Sequence, residues 1–138
     1  MSERITEFPI PRDRTVVVTR IPEPEEPFAV RWARKRDNET TFEVMCNLAE
    51  RRLVRTWRYI SADGAFVNVP DIDDLADWLY EFGGDLKVSR PFEGFRQYVL
   101  HTRSEALSDG SFLRVRVACS VPEDVVVHED IRSKAVAA

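Results

Sequence analysis

Two runs that alternate apolar and polar residues, "YVLHTR" and "FLRVRVACSV", meet at Ser108-Asp109-Gly110-Ser111 and constrain this chain more than any other feature. Successive side chains of a strand point to opposite faces, so the alternation defines one buried and one wet face. With Leu107 placed opposite Phe112, residues Tyr98, Leu100, Thr102 and Ala106 share a face with Leu113, Val115, Val117, Cys119 and Val121. The other face shows His101, Arg103, Glu105, Arg114 and Arg116, and this register sets Glu105 opposite Arg114. A half-exposed antiparallel hairpin follows. Its apolar side needs a cover.

The clearest candidate for that cover is "PDIDDLADWLYEFGG". Asp71 is a good N-cap, and Asp73, Asp74 and Asp77 sit near the positive end of the helix dipole. Ile72, Leu75, Ala76, Leu79 and Phe82 form one stripe, and Gly83-Gly84 stops the helix. We expect a helix over about residues 71–83. Its acidic first turn lacks the spacing of a calcium loop and reads as solvated.

Upstream, "FAVRWARKR" (28–36) and "TTFEVMCNL" (40–48) flank Asp37-Asn38-Glu39, which reads as a hairpin turn between two strands. A helical alternative competes, because Phe42, Met45, Cys46, Ala49, Leu53, Trp57 and Ile60 also fall on one helical face. Thr40, Thr41 and the β-rich "RLVRTWRYI" favour strands, and Asp63-Gly64 turns the chain into "AFVNV". "TVVVTRI" (15–21) reads as a strand and "PEPEEP" (22–27) as a connector.

With 138 residues, one domain is expected. The organisation expected is an extended N-terminal arm over 1–14, a single domain over 15–121, and a tail over 122–138 in which "VVV" adds a short strand. The expected fold class is α+β: a mainly antiparallel β-meander, partly closed barrel or sandwich, with one principal inserted helix.

Function is less constrained. Net charge is −4, which argues against coating nucleic acid, since phosphate binding draws on excess Lys and Arg. A local basic face remains compatible with it. Arg31, Arg34, Lys35 and Arg36 lie near Arg51, Arg52, Arg55 and Arg58 in the strand reading, with Trp32, Trp57 and Tyr59 interleaved. Basic residues and exposed aromatics on a sheet bind single strands through phosphate attraction and base stacking. The competing account is that the aromatics are core and that Glu39, Glu43 and Glu50 neutralise the cations.

Catalysis finds little support. His101 and His128 are the two histidines, and neither sits in a recognisable motif. No metal-ligand spacing and no glycine-rich phosphate loop occurs, so no metal and no cofactor is expected. Cys46 and Cys119 read as core thiols of a reduced, intracellular protein; no apolar run is long enough to cross a membrane.

The leading expectation is therefore a non-catalytic structural or interaction subunit of a symmetric assembly, cytoplasmic or, as one concrete case, in a virion tail or head. Its partners would be copies of itself or other subunits, with Phe8 and Ile10 on the arm filling pockets on a neighbour. The alternative is a nucleic-acid-binding β-domain using Arg31, Arg34, Arg51, Arg55, Trp57 and Arg58. A small inhibitor docking on another protein is the second alternative.

Overall fold

A computed structural model describes residues 26–138. The arm with Phe8 and Ile10, the strand expected at 15–21 and most of the acidic connector lie outside the described residues. The elements run α1 (Phe28–Leu48), β1 (Trp57–Ser61), β2 (Gly64–Asn68), α2 (Ile72–Phe82), β3 (Asp85–Val88), β4 (Phe95–Arg103), β5 (Arg114–Pro122), α3 (Glu129–Arg132) and β6 (Ala135–Ala137). The α+β class is as expected. The sheet is open and mixed rather than a closed barrel or a pure meander: its order is β1-β2-β5-β4-β3-β6, with β2–β5 and β3–β6 parallel.

The largest correction concerns residues 28–48, which form one helix of 21 residues and not a hairpin. No glycine or proline interrupts them, and Lys35–Glu39 and Arg36–Glu39 pair along the helix surface at 3.4 and 3.9 Å. Asn38, expected in a turn, sits mid-helix and donates its amide to the carbonyls of Ser61 and Ala62. This pins the helix to the β1–β2 turn. Only Phe42 and Met45 are buried within α1, so its stability comes from docking rather than from a strong amphipathic stripe.

The β1–β2 hairpin forms where expected, with Ser61 paired to Gly64 across Ala62-Asp63. The α2 helix is also as read. Asp71 Oδ1 accepts from the Asp73 amide at 3.1 Å, and Gly83, at φ 71°, closes the helix by donating to the Leu79 carbonyl.

Along β4 and β5 the faces are those expected, but the register differs by two residues. Arg103, not Glu105, stands opposite Arg114. The Ser104 hydroxyl takes the Leu113 amide at 2.9 Å, which ends the ladder earlier and leaves Ala106 and Leu107 in an exposed loop. A shift of two keeps every side chain on its face; a shift of one would have reversed them all.

Residues 122–138 do not leave as a tail. Val127 and Ile131 enter the core, and β6 pairs with β3 beyond them. The short strand forms at 135–137 and not at Val125-Val126-Val127, where Val126 is exposed.

All three described helices cover one face of the sheet. α1 lies on β1 and β2, α2 on β4 and β5, and α3 adds Ile131 to the same core. Phe42 and Trp78 stack between the helices at 6.1 Å. The opposite face of the sheet carries no described helix.

Candidate binding face

Strand pairing brings outward side chains from all six described strands into rows. One row reads Tyr59, Phe66, Arg116, His101 and Asp85, each paired with the next. The row beside it reads Trp57, Asn68, Ala118, Val99, Lys87 and Val136. Arg103 and Arg114 form the adjoining pair at the end of the central hairpin.

Four aromatic rings at strand positions stand open on this face: Trp57 and Tyr59 are each 53 % exposed, Phe66 is 42 % exposed, and Phe95, at the far end of β4, is 48 % exposed. Trp57 and Tyr59 are two residues apart on an edge strand, so their rings point the same way and lie within 10° of parallel at 6.3 Å. The Arg116 guanidinium sits 5.2 Å over Phe66, and Arg103 lies 4.4 Å over Phe112 at the rim. At these distances the cations lie over the ring faces, where the ring quadrupole attracts them.

The charge of the face is one-sided. Its outward positions carry Lys87, Arg103, Arg114 and Arg116 against one carboxylate, Asp85. Among the described residues, no ion pair involves any of the four cations. Arg103 and Arg114 are directly opposite each other, an arrangement that costs stability in a sheet. Burial, with Arg116 and Lys87 nearby, holds the His101 pKa below its ordinary value and outweighs the pull of Asp85. The imidazole is therefore neutral near pH 7.

The basic cluster expected from the sequence does not assemble into a face. Arg31 and Arg34 sit on α1 and pair with Glu26, Arg34 through two hydrogen bonds of 2.7 and 2.5 Å. The hydrogen bond from Arg34 holds the Glu26 carboxyl below the usual range. Arg31 also reaches Asp63 at 3.2 Å. Arg51 pairs with Asp77 and Glu81 on α2. Arg55 and Arg58 both meet Glu43 on α1 and lie over the Phe42 ring. Each of these arginines has a carboxylate partner, and Arg31, Arg51, Arg55 and Arg58 use theirs to tie one part of the fold to another. Of the six residues put forward as a nucleic-acid face, Trp57 alone belongs to the open face; Tyr59, interleaved with them in the sequence, lies there too.

The residues that join it, Tyr59, Phe66, Lys87, His101, Arg103, Arg114 and Arg116, were partly legible. The alternation of β4 and β5 had already put His101, Arg103, Arg114 and Arg116 on the wet side. What linked them to Trp57 and Phe66 was the parallel pairing of β2 with β5, which local sequence does not announce.

Among the described residues, no three His, Cys, Asp or Glu side chains are grouped so as to hold a metal ion. No described helix is long and apolar enough to cross a membrane. No protein-family model, curated protein or solved structure gives a significant match to the chain.

Proposed function

We propose that this is a non-catalytic interaction protein that binds a macromolecular partner across the open face of its sheet. One observation carries the reading: Trp57, Tyr59 and Phe66 remain exposed on one side of a six-stranded sheet whose other side is covered by helices. Large rings left in water on a rigid platform are costly unless a partner covers them, and such rings are typical anchors of binding surfaces. The test is a triple variant, Trp57→Ser with Tyr59→Thr and Phe66→Thr, compared with the unaltered protein on sizing chromatography of a native extract. The wild type is expected to elute in a complex that the variant leaves, with the variant still folded by circular dichroism. Identical elution of the two proteins overturns the reading.

A second reading, a subunit of a symmetric assembly, is favoured by α1. This helix leaves Phe28 and Leu48 largely exposed at its two ends, with Trp32 and Val44 half-exposed between them. Sedimentation equilibrium of the purified protein tests it. A single monomer mass at high protein concentration removes it.

A further inference from the structure

We infer that the open face binds a single-stranded polynucleotide, its bases stacked on Trp57, Tyr59 and Phe66 and its phosphates drawn to Lys87, Arg103, Arg114 and Arg116. This names the partner in the function proposed above and rests on that reading.

Two independent features of the face favour a polynucleotide. The first is charge complementarity. The chain as a whole carries −4, yet the outward strand positions gather four cations around a single carboxylate. A polyanion is repelled by most of this protein and attracted by one side of it, which confines binding to that side. Arg103 and Arg114 stand opposite each other in the ladder, and an anion between them relieves the repulsion.

The second feature is planarity. The parallel Trp57 and Tyr59 rings occupy one edge of the described sheet, Phe66 lies beside Tyr59, and the Arg116 guanidinium lies 5.2 Å over Phe66. Adjacent strands are separated by about 4.8 Å and same-face residues on one strand by about 6.8 Å, so stacking surfaces recur at spacings that an extended single strand can follow. Bases present a ring to each such surface whatever their identity, which makes the contact tolerant of sequence. A duplex hides those faces, so it is excluded. An acidic peptide satisfies the cations but has no planar groups for the rings. Neither stacking nor phosphate attraction reads the sugar, so DNA and RNA strands are expected to bind alike.

The experiment is fluorescence anisotropy of the full chain with a labelled oligothymidylate, an oligouridylate of equal length, a DNA duplex and polyglutamate. Both single strands are expected to bind, the duplex and polyglutamate much more weakly. The logarithm of affinity should fall with the logarithm of salt at a slope of about −3, four cations at roughly 0.7 per phosphate. Trp57→Ser and Tyr59→Thr should each weaken oligothymidylate binding by about tenfold, within the range known for removing a stacking ring. Arg116→Gln with Lys87→Gln should flatten the salt slope by about 1.4 on the same scale. These positions are exposed or at the surface of the sheet, and unchanged melting identifies variants that fold; Arg116→Lys, which keeps the charge but loses the flat guanidinium, should keep the slope.

Equal binding of polyglutamate and oligothymidylate overturns the inference, because the rings then contribute nothing. So does the absence of oligonucleotide binding by a wild type that still forms a complex lost in the triple face variant; the partner is then a protein and the proposed function survives. Absence of both effects removes both.

Discussion

The indole Nε1 of Trp78 donates a hydrogen bond of 3.1 Å to the carbonyl of Val54, joining α2 to the segment between α1 and β1. Trp78 is fully buried, stacked on Phe42 and tilted against Phe82. One side chain therefore fixes both helices and the chain entering the sheet. Replacing Trp78 with Phe removes the donor, strands a partly buried carbonyl and opens a void. Together these should cost about 2–4 kcal/mol, read as a lower denaturant midpoint with an unchanged slope. A loss below about 0.5 kcal/mol, within surface-substitution range, would mean that the bond and the packing contribute little.

Gly84 makes a sharper demand on the backbone. It sits at φ 114°, and a Cβ there would lie 2.2 Å from the His101 carbonyl oxygen. Gly84→Ala must either displace β3 from β4 or force both strands apart. The expected loss is about 3 kcal/mol or more, strain and clash combined. Gly83→Ala is the matched control, since no atom lies within 4 Å of a Cβ there; it should cost less, the strain of its own positive φ. Equal losses for the two variants would show that the close approach to His101 is absent in solution.

The contrast between α2 and α1 shows what local sequence conveys. In α2 the cap, the acidic first turn, the apolar stripe and the terminating glycine all fall within about fifteen residues, and each is a local preference. Even there the stripe omits Trp78, which is as fully buried as Leu75. In α1 the buried contacts are Phe42 and Met45 alone, while Val30, Thr40, Thr41 and Val44 supply a β-like composition. The helix wins through its anchors elsewhere, Asn38 on the β1–β2 turn and Glu43 on Arg58. The arginine cluster misled for the same reason. Glu43 meets Arg55 and Arg58, and Asp77 and Glu81 meet Arg51, across sequence separations that packing closes. Val127, Ile131 and Ala135 recur every four residues, a short signal of inward side chains within a segment whose composition otherwise reads as a tail.

That C-terminal segment should matter to stability. Ile131 is 4 % exposed and belongs to the main core, with β6 completing the sheet edge just after it. Ile131→Ala should cost about 2–4 kcal/mol in chemical unfolding, the usual loss for a buried aliphatic side chain. A variant as stable as wild type would mean that the segment is detached in solution, as a tail would be.

The two thiols should differ in reactivity. Cys119 is fully buried between Val117 and Val121, and burial raises its pKa to about 11, with Asp71 and Asp74 adding to the effect. Cys46 is half-buried and also raised by burial, while Arg55 acts against the shift. At pH 8 a thiol reagent should modify Cys46 first and reach Cys119 only when the protein unfolds, because the thiolate is the reactive species. Mass spectrometry of partially labelled protein locates the label. Prompt labelling of Cys119 would place β5 one residue out of register, with every side chain of that strand reversed.

His101 links the open face to pH. Burial comes first among the causes that lower its pKa, then Arg116 and Lys87, against the opposing pull of Asp85 on the neighbouring strand. The unfolded chain has no such neighbours and takes up its proton near pH 6.5. Between that value and the lowered folded one, the unfolded state binds more protons than the folded state, so stability rises with pH in this window. The contribution is complete above the unfolded value and is lost as pH falls through the folded pKa. His101 lies at the surface of the sheet, so its burial is partial and the effect is modest. His101→Gln isolates it: between pH 7 and pH 5 the wild type should lose more stability than the variant, measured as the difference between their melting temperatures at each pH. Parallel pH profiles would show that the imidazole is not held between Arg116 and Lys87. The same protonation adds a fifth cation to the face, so oligothymidylate should bind the wild type more tightly at pH 5 than at pH 7, with a smaller gain for His101→Gln.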